Sequence, residues 1–315
     1  MILRWLPLVA CALIFAAPSI AGPYYITLLL PAFGYGIALL GINLLFGYTG
    51  LLSFGHALFI AIGAYSAAYM TSKAGILHIE AIFAVAIAAA LLIAVPVGLL
   101  CVRYVKIFFG ILTLAFSMLF YSFLFKFYHV TGGDEGIKVL RPLLFGHAFA
   151  ERDKVSYLTG PFYYYMAGLL VIATAIMRRI ASSPFGLRLR AVRDNPQKAE
   201  YLGVRVRLHR LVAFLISAVY GAIAGVALSV PTGLADPGLA YWLQSGNLIF
   251  MLLLGGYTNF YGPAIGAFAF IFLHDQVMSI TEYWRFVFGV LLAVIVIFVP
   301  RGLMGLLDRR GRWAT

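Results

Sequence analysis

The sequence predicts an all-α polytopic membrane protein of about ten transmembrane helices with a short helical loop on the cytoplasmic side. The first observation is composition: 63% of residues are hydrophobic and 11% charged, where soluble domains hold roughly 45–50% and about 25%. The second is the spacing of charge. No Asp, Glu, Lys or Arg stands between Arg4 and Lys73, and further charge-free windows cover Ala81–Val102, Ile107–Phe125, Val155–Met177, Leu211–Ala235, Pro237–His274 and Phe286–Pro300. A helical crossing takes roughly 17–25 apolar residues, and backbone in lipid must satisfy its own hydrogen bonds, which leaves helices or closed barrels. The third observation removes the barrel, because these runs lack the alternation of lipid-facing strands.

Taken in chain order, Met1–Ala21 carries a lone Arg4, an apolar middle and small residues at Ser19 and Ala21. That pattern suits a cleaved signal segment or an uncleaved first helix, the reading adopted. The remaining spans are expected near Tyr24–Phe46, Ala57–Thr71, Ala81–Cys101, Ile107–Phe127, Pro161–Ile180, Arg210–Val230, Trp242–Tyr257, Gly262–Ser279 and Tyr283–Pro300. Cys11 and Cys101 fall inside spans with no metal-ligand or redox spacing around them, so both read as apolar packing residues.

A net charge of +12 would suggest nucleic acid in a soluble protein. Here the basic residues gather at the ends of apolar runs, which is a topology signal and implies no nucleic-acid partner. Arg178–Arg210 holds nine of them (Arg178, Arg179, Arg188, Arg190, Arg193, Lys198, Arg205, Arg207, Arg210) against Asp194 and Glu200. The loop 181–209 is therefore expected in the cytoplasm. Arg103 with Lys106, and Arg301, Arg309, Arg310 and Arg312 of the tail 301–315, ask for the same side. The segment 128–160 mixes Lys138, Arg141, Arg152 and Lys154 with Asp134, Glu135, Glu151 and Asp153, so it can face outward. The span order agrees with this arrangement, and residues 1–315 read as one transmembrane domain.

Two segments interrupt the apolar pattern. Asn43–Ala57 reads NLLFGYTGLLSFGHA, with Gly47, Gly50 and Gly55 among polar Tyr48, Thr49, Ser53 and His56. Glycine permits unusual backbone angles, so this stretch is either a re-entrant or broken helix lining a cavity or a plain cytoplasmic turn. Asn43-Leu-Leu-Phe, Gly47-Tyr-Thr and Gly55-His-Ala recur loosely as Asn247-Leu-Ile-Phe, Gly256-Tyr-Thr and Gly262-Pro-Ala, an echo of duplicated halves or a coincidence of composition. In the basic loop, Ser183 and Pro184 open a short helix with Leu187, Ala191 and Val192 on one face. Asn195-Pro196 then stops it and starts a second helix, capped by Asp194 or Asn195 and closed at Gly203. Such a pair forms a docking surface or rests on anionic headgroups.

The run SSPFGLRLRAVRDNPQKAEYLGVRVRLHRLVAFLISAVYGAIAGVALS resembles the cytoplasmic loop and following helix of branched-chain amino-acid ABC-transporter permeases of the LivM type. NLLFGYTGLLSFGHALFIAIGAY, GILTLAF followed by VTGGDEGI, LIFMLLLGGYTNFYGPAIGAF and PRGLMGLL resemble further segments of that family, in order along nearly the whole chain. In such permeases the counterpart of AEYLGV, here Ala199–Val204, seats in a groove of the ATPase subunit. The resemblance therefore implies an ATPase-coupling role for Ala199, Glu200 and Gly203 together with Arg188, Arg190 and Arg193. It also implies partners: a second related permease, two ATP-binding cassette ATPase subunits and an extracytoplasmic solute-binding protein, all at a bacterial-type cytoplasmic membrane. Candidate pathway residues are Asn43, Thr49, Ser53 and His56 of the break and Thr113 of GILTLAF. Acidic Asp134-Glu135 and bulky Phe125, Lys126 and Phe127 depart from the family pattern and bear on the identity of the solute.

The chain has no G-x-x-x-x-G-K-[ST] phosphate loop, so energy must come from another subunit. No catalytic, metal or cofactor site is expected. Asp236, Asp275 and Glu282 fall near span ends, away from a proton relay at mid-membrane. Spans so free of charge suit a small neutral or zwitterionic solute. Branched-chain amino acids come first, then urea or short amides, which related permeases handle. A stand-alone ion-coupled transporter would need a midplane acid or histidine with a partner, and a membrane-embedded enzyme a cluster such as H-E-x-x-H, which the histidines do not form.

Overall fold

The computed structural model describes residues 6–105, 107–147, 153–299 and 302–307. Arg4, Lys106, Glu151, Arg152, Arg301, Arg309, Arg310 and Arg312 lie outside the described residues. The chain runs through α1 (Leu6–Ile20), α2 (Pro23–Asn43), α3 (Ala57–Ala68), α4 (Ile79–Cys101), α5 (Ile107–Lys126), α6 (Tyr128–Thr131), α7 (Lys154–Thr159) and α8 (Pro161–Ser182). It continues through α9 (Pro184–Asp194), α10 (Pro196–Tyr201), α11 (Val206–Thr232), α12 (Trp242–Gly255), α13 (Gly262–Ile280), α14 (Trp284–Phe298) and α15 (Gly302–Leu307). Two π-turns, Leu44–Tyr48 and Tyr69–Lys73, extend α2 and α3. A two-stranded antiparallel sheet pairs β1 (Ile137–Lys138) with β2 (Leu234–Ala235).

Every expected span from residue 24 onward holds a helix, yet only six of the described helices are long and apolar enough to cross a bilayer. They are Pro23–Tyr48, Ile79–Cys101, Ile107–Lys126, Lys154–Ser182, Val206–Thr232 and Gly262–Ile280. For α3 and α12 the cause is geometric. At 14 residues, α12 is roughly 21 Å long at about 1.5 Å per residue, against a hydrocarbon core of about 30 Å. It begins inside the bundle rather than at its edge, as α3 does.

Glycine and alanine set the helix directions. Gly34 of α2 packs on Leu228 and Gly41 on Ser217 and Tyr220, so α2 and α11 run antiparallel. Going along α3, His56 bonds Ser217, Phe59 packs on Gly221, and Ile60 and Ala64 lie against Gly225, so α3 and α11 run side by side in the same direction. All 12 residues of α3 are buried, which makes it the hub of the bundle. Between apolar helices in lipid there is no hydrophobic driving force, so contact comes from such small residues letting backbones approach. Cys101 is buried and Cys11 half-buried.

The bundle has two ends. At the first, the end of α2 meets α9 and the α12–α13 turn; this is the basic end. At the second, the 128–160 segment covers the outer part of α3: Thr71 Oγ1 accepts from Leu140 N at 3.1 Å and Ser72 Oγ donates to Lys138 O at 2.5 Å. Two breaks enter the bundle, one from each end. Gly50, at φ 73°, turns residues 50–56 back from the basic end to the start of α3. Gly233, at φ 75°, turns residues 233–241 inward from the opposite end, and Ala240 O there accepts from Ser117 Oγ at 2.9 Å. The two paths, long helix, return, short helix, run in opposite senses.

The α3–α11 contact sets a stability expectation. A side chain at Gly225 overlaps the Ile60 backbone, so Gly225→Val should cost at least about 1–3 kcal/mol and lower the thermal midpoint in detergent. Gly289→Ala, with nothing within 4 Å of the added carbon, should leave that midpoint unchanged or raise it slightly. Equal midpoints for both variants would break the packing argument.

Candidate functional site

The break between α2 and α3 is not an exposed turn. Asn43, Thr49, Ser53, His56 and Thr113 are all buried, and the chain between them re-enters the bundle. Its polar groups are met by side chains from three other helices. Phe54 N donates to Thr113 Oγ1 on α5 at 3.3 Å, and Ala57 N donates to Ser245 Oγ on α12 at 3.1 Å. His56 Nε2 and Ser217 Oγ on α11 share a hydrogen bond of 2.6 Å. Within the break, Ser53 Oγ accepts from Gly55 N at 3.3 Å, and Thr49 Oγ1 donates to the Leu45 carbonyl. Gly55 is required: a Cβ there would overlap the Thr113 carbonyl.

Two buried acceptor-capable atoms, Asn43 Oδ1 and His56 Nδ1, have no partner among the described residues. The His56 ring stands edge-on to Phe59 and Phe214 at centroid distances of 5.7 and 6.1 Å. The starts of α3 and α12 thus meet head to head in a tightly packed, uncharged junction. Toward the end opposite the basic one, a recess of about 270 Å³ opens between α3, α4 and α5, lined by Ile62, Tyr65, Val85, Ile93 and Phe120 among others. The buried Tyr65 hydroxyl has no hydrogen-bond partner among the described residues.

The basic loop folds as two short helices. Ser183 stands at the N-cap position with Pro184 next, although its hydroxyl turns back to Ile180 O at 2.7 Å instead of capping. Asn195, not Asp194, caps α10 by accepting from Lys198 N at 3.0 Å. Gly203 ends the pair at φ 82°. One expectation needs correcting: Leu187 is 67% exposed and Ala191 is also exposed, while Gly186, Leu189 and Val192 are buried. The inner face is set by the bundle end on which α9 lies, and that face is rotated from the one read off apolar spacing.

The coupling candidates divide into three groups. Arg188, Glu200 and Gly203 are exposed, as is Arg193, which also pairs with Asp194 at 3.1 Å. Ala199 is buried with Val192 and Val206 in a small core that fastens α9, α10 and α11 together. Arg190 and Arg193 turn toward the end of α2: Arg193 Nη1 donates to Gly47 O at 2.5 Å, and the Arg190 guanidinium lies 5.2 Å from the Tyr48 ring centre. Tyr257, from the second half of the sequence echo, stacks obliquely on Phe46 at 4.8 Å. Both echo segments therefore end helices at the same place, without being related by the opposed paths of the fold.

Sequence reasoning missed Ser217 and Ser245, the partners that hold the break. Ser217 had a signal, since Ser217, Gly221 and Gly225 recur every four residues and form a small-residue stripe suited to close packing. Within the expected Ala199–Val204 segment, Tyr201 and Leu202 are 89% and 83% exposed at the end of α10. An apolar pair left outside a basic loop marks a contact surface.

Residues 24–296 match the family described as branched-chain amino acid transport system, permease component. The chain is 28% identical to the high-affinity branched-chain amino acid transport system permease protein LivM of Escherichia coli K12, over 86% of this chain and 67% of that protein. It is 24% identical to the probable branched-chain amino acid transport permease protein LivM of Methanocaldococcus jannaschii, over 89% and 93%. A shorter similarity, 27% over 42% of each chain, links it to the autoinducer 2 import system permease protein LsrC of Photorhabdus laumondii. No solved structure matches the chain.

The His56–Ser217 bond gives the site its own test. Ser217→Ala leaves both imidazole nitrogens without a partner and should cost about 1–3 kcal/mol, read as a lower midpoint in detergent. His56→Leu with Ser217→Ala should cost less than the sum of the single changes, because the second change removes no further partnership. Strict additivity would mean that the bond carries no energy.

Proposed function

The chain belongs to the branched-chain amino acid transport permease family, and on that premise we propose that it is one permease subunit of an ATP-driven importer for branched-chain or related small amino acids. The observation that carries this reading is the match over residues 24–296, which takes in the break, the basic loop and both short helices. A second related permease, two ATP-binding cassette ATPases and an extracytoplasmic binding protein complete the assembly. The membrane is the bacterial-type cytoplasmic one, with the basic loop 181–209 and the tail 301–315 in the cytoplasm and 128–160 outside. The Lys and Arg asymmetry supports that orientation.

Interior chemistry supports the cargo. Among the described residues no Asp, Glu, Lys or Arg is buried; the buried polar groups are hydroxyls, Asn43 and His56. A strongly ionic cargo would call for a buried counter-charge, whereas a zwitterion with an aliphatic side chain asks for dipoles and apolar wall. The recess beside Tyr65 offers an apolar wall with a free hydroxyl at its edge. Similarity to LsrC proteins favours a small polar cargo as the second reading, alongside urea and short amides. ATPase contact falls to the exposed end of α10, where Tyr201 and Leu202 stand out from the surface and Gly203 is free of neighbours within 4 Å.

A tagged chain should bring down two ATPases and a second permease from detergent, and the assembled complex with its binding protein should take up leucine in proteoliposomes only with ATP. Gradient-driven uptake by the chain alone would sink the reading, and uptake of urea in place of leucine would move it to the second cargo. Reporters inserted after Arg193 and near Asp134 should read cytoplasmic and external. Gly203→Trp should insert normally, since a cap change costs about 1 kcal/mol, yet lose ATPase and uptake together.

A further inference from the structure

We infer that Arg193, with Arg190 beside it, carries movement of the α9–α10 loop into the buried break between α2 and α3, so that these two arginines serve their own chain and not the ATPase surface. The inference rests on the permease reading above and names how the loop reaches the pathway.

Three observations lead there. The π-turn Leu44–Tyr48 disturbs the regular helix ladder, as such turns do at functional sites. The Gly47 carbonyl at its end takes the Arg193 guanidinium, and a charge-assisted bond of this kind is roughly twice as strong as a neutral one. The stem of Arg193 lies over Gly50, the residue whose φ of 73° redirects the chain inward. One side chain therefore holds both ends of the corner.

That corner has no room to yield. A Cβ on Gly47 would stand 2.7 Å from the Tyr257 carbonyl, so a shift of Gly47 is passed onward instead of being absorbed. Onward lies the segment 50–56, fastened by Thr113, Ser217 and Ser245 to three separate helices. Packed and hydrogen-bonded segments switch between discrete positions as units. Elsewhere on the loop, Arg188 of α9 and Tyr201 and Leu202 at the end of α10 are exposed and available to a partner. One face of the loop receives and the other delivers.

The test uses the assembled transporter in proteoliposomes, with its binding protein and radiolabelled leucine. Arg193→Ala should keep ATPase copurification and ATP hydrolysis while leucine taken up per ATP falls roughly tenfold. Arg193→Lys, which keeps a donor for the Gly47 carbonyl, should recover a good part of that loss. Tyr48→Phe should match the parent and Tyr48→Leu should lose severalfold, which reads the second contact independently if Arg193→Ala fails to insert. Loss of copurified ATPase in Arg193→Ala would make the residue a docking contact and overturn the inference, as would an unchanged ratio of leucine to ATP. A parent chain that brings down no ATPase would instead refute the permease reading itself.

Discussion

The constraint on which this architecture depends is that backbone leaving a helix inside a membrane must find its hydrogen bonds in protein. Residues 50–56 face that requirement within the bundle and meet it with Ser53, Thr113 and Ser245, borrowed from the break itself and from two other helices. An unmet polar group at that depth costs several kcal/mol. The break is thus tolerable only where α5, α11 and α12 already surround it, and those helices are fixed in turn by the break. Its atoms are both a local interruption and a joint between distant parts of the chain.

Glycine makes the joint physically achievable. Gly55 lies against the Thr113 carbonyl, Gly63 against that of Ala222 and Gly225 against that of Ile60, so three interfaces close to backbone distance. Such contacts leave little space for rearrangement within the α2–α3–α11 core. A displacement is then passed between packed groups, at the corners where a few bonds link them. The Gly47–Gly50 corner is one such place because it joins the basic loop to the break while remaining at the edge of the bundle.

Much of this was legible in the sequence. Each span expected from the apolar windows from residue 24 onward holds a helix, and the cluster of glycine with polar residues at Asn43–Ala57 located the break. What could not be read was depth. The window Pro237–His274 is free of charge throughout, so nothing in it announces that residues 233–241 turn inward and leave α12 only 14 residues long. Partners were equally hidden: His56 and Ser217 lie 161 positions apart, and only the four-residue stripe of small side chains marked Ser217 as special. In α9 the apolar spacing named Leu187, Ala191 and Val192 as one face, whereas the bundle end covers Gly186, Leu189 and Val192, a choice made by the partner surface and not by the helix alone.

The opposed paths of the two breaks bear on how a chain with so few buried polar groups arranges its interior. Half-length helices place their starts in mid-bundle, where unpaired N–H groups give partial positive charge without any ionised side chain. In the state described, the start of α3 is closed by Ser245 and the start of α12 faces it across the same junction. The first N–H of α3 is then spent on a protein partner. Each break enters from its own end of the bundle, so a shift of one need not displace the other, and the junction between them can be loosened from either side in turn. Charge-free spans, head-to-head short helices and opposed returns thus occur together in one interior, where hydroxyls, Asn43, His56 and backbone groups are the polar atoms among the described buried residues.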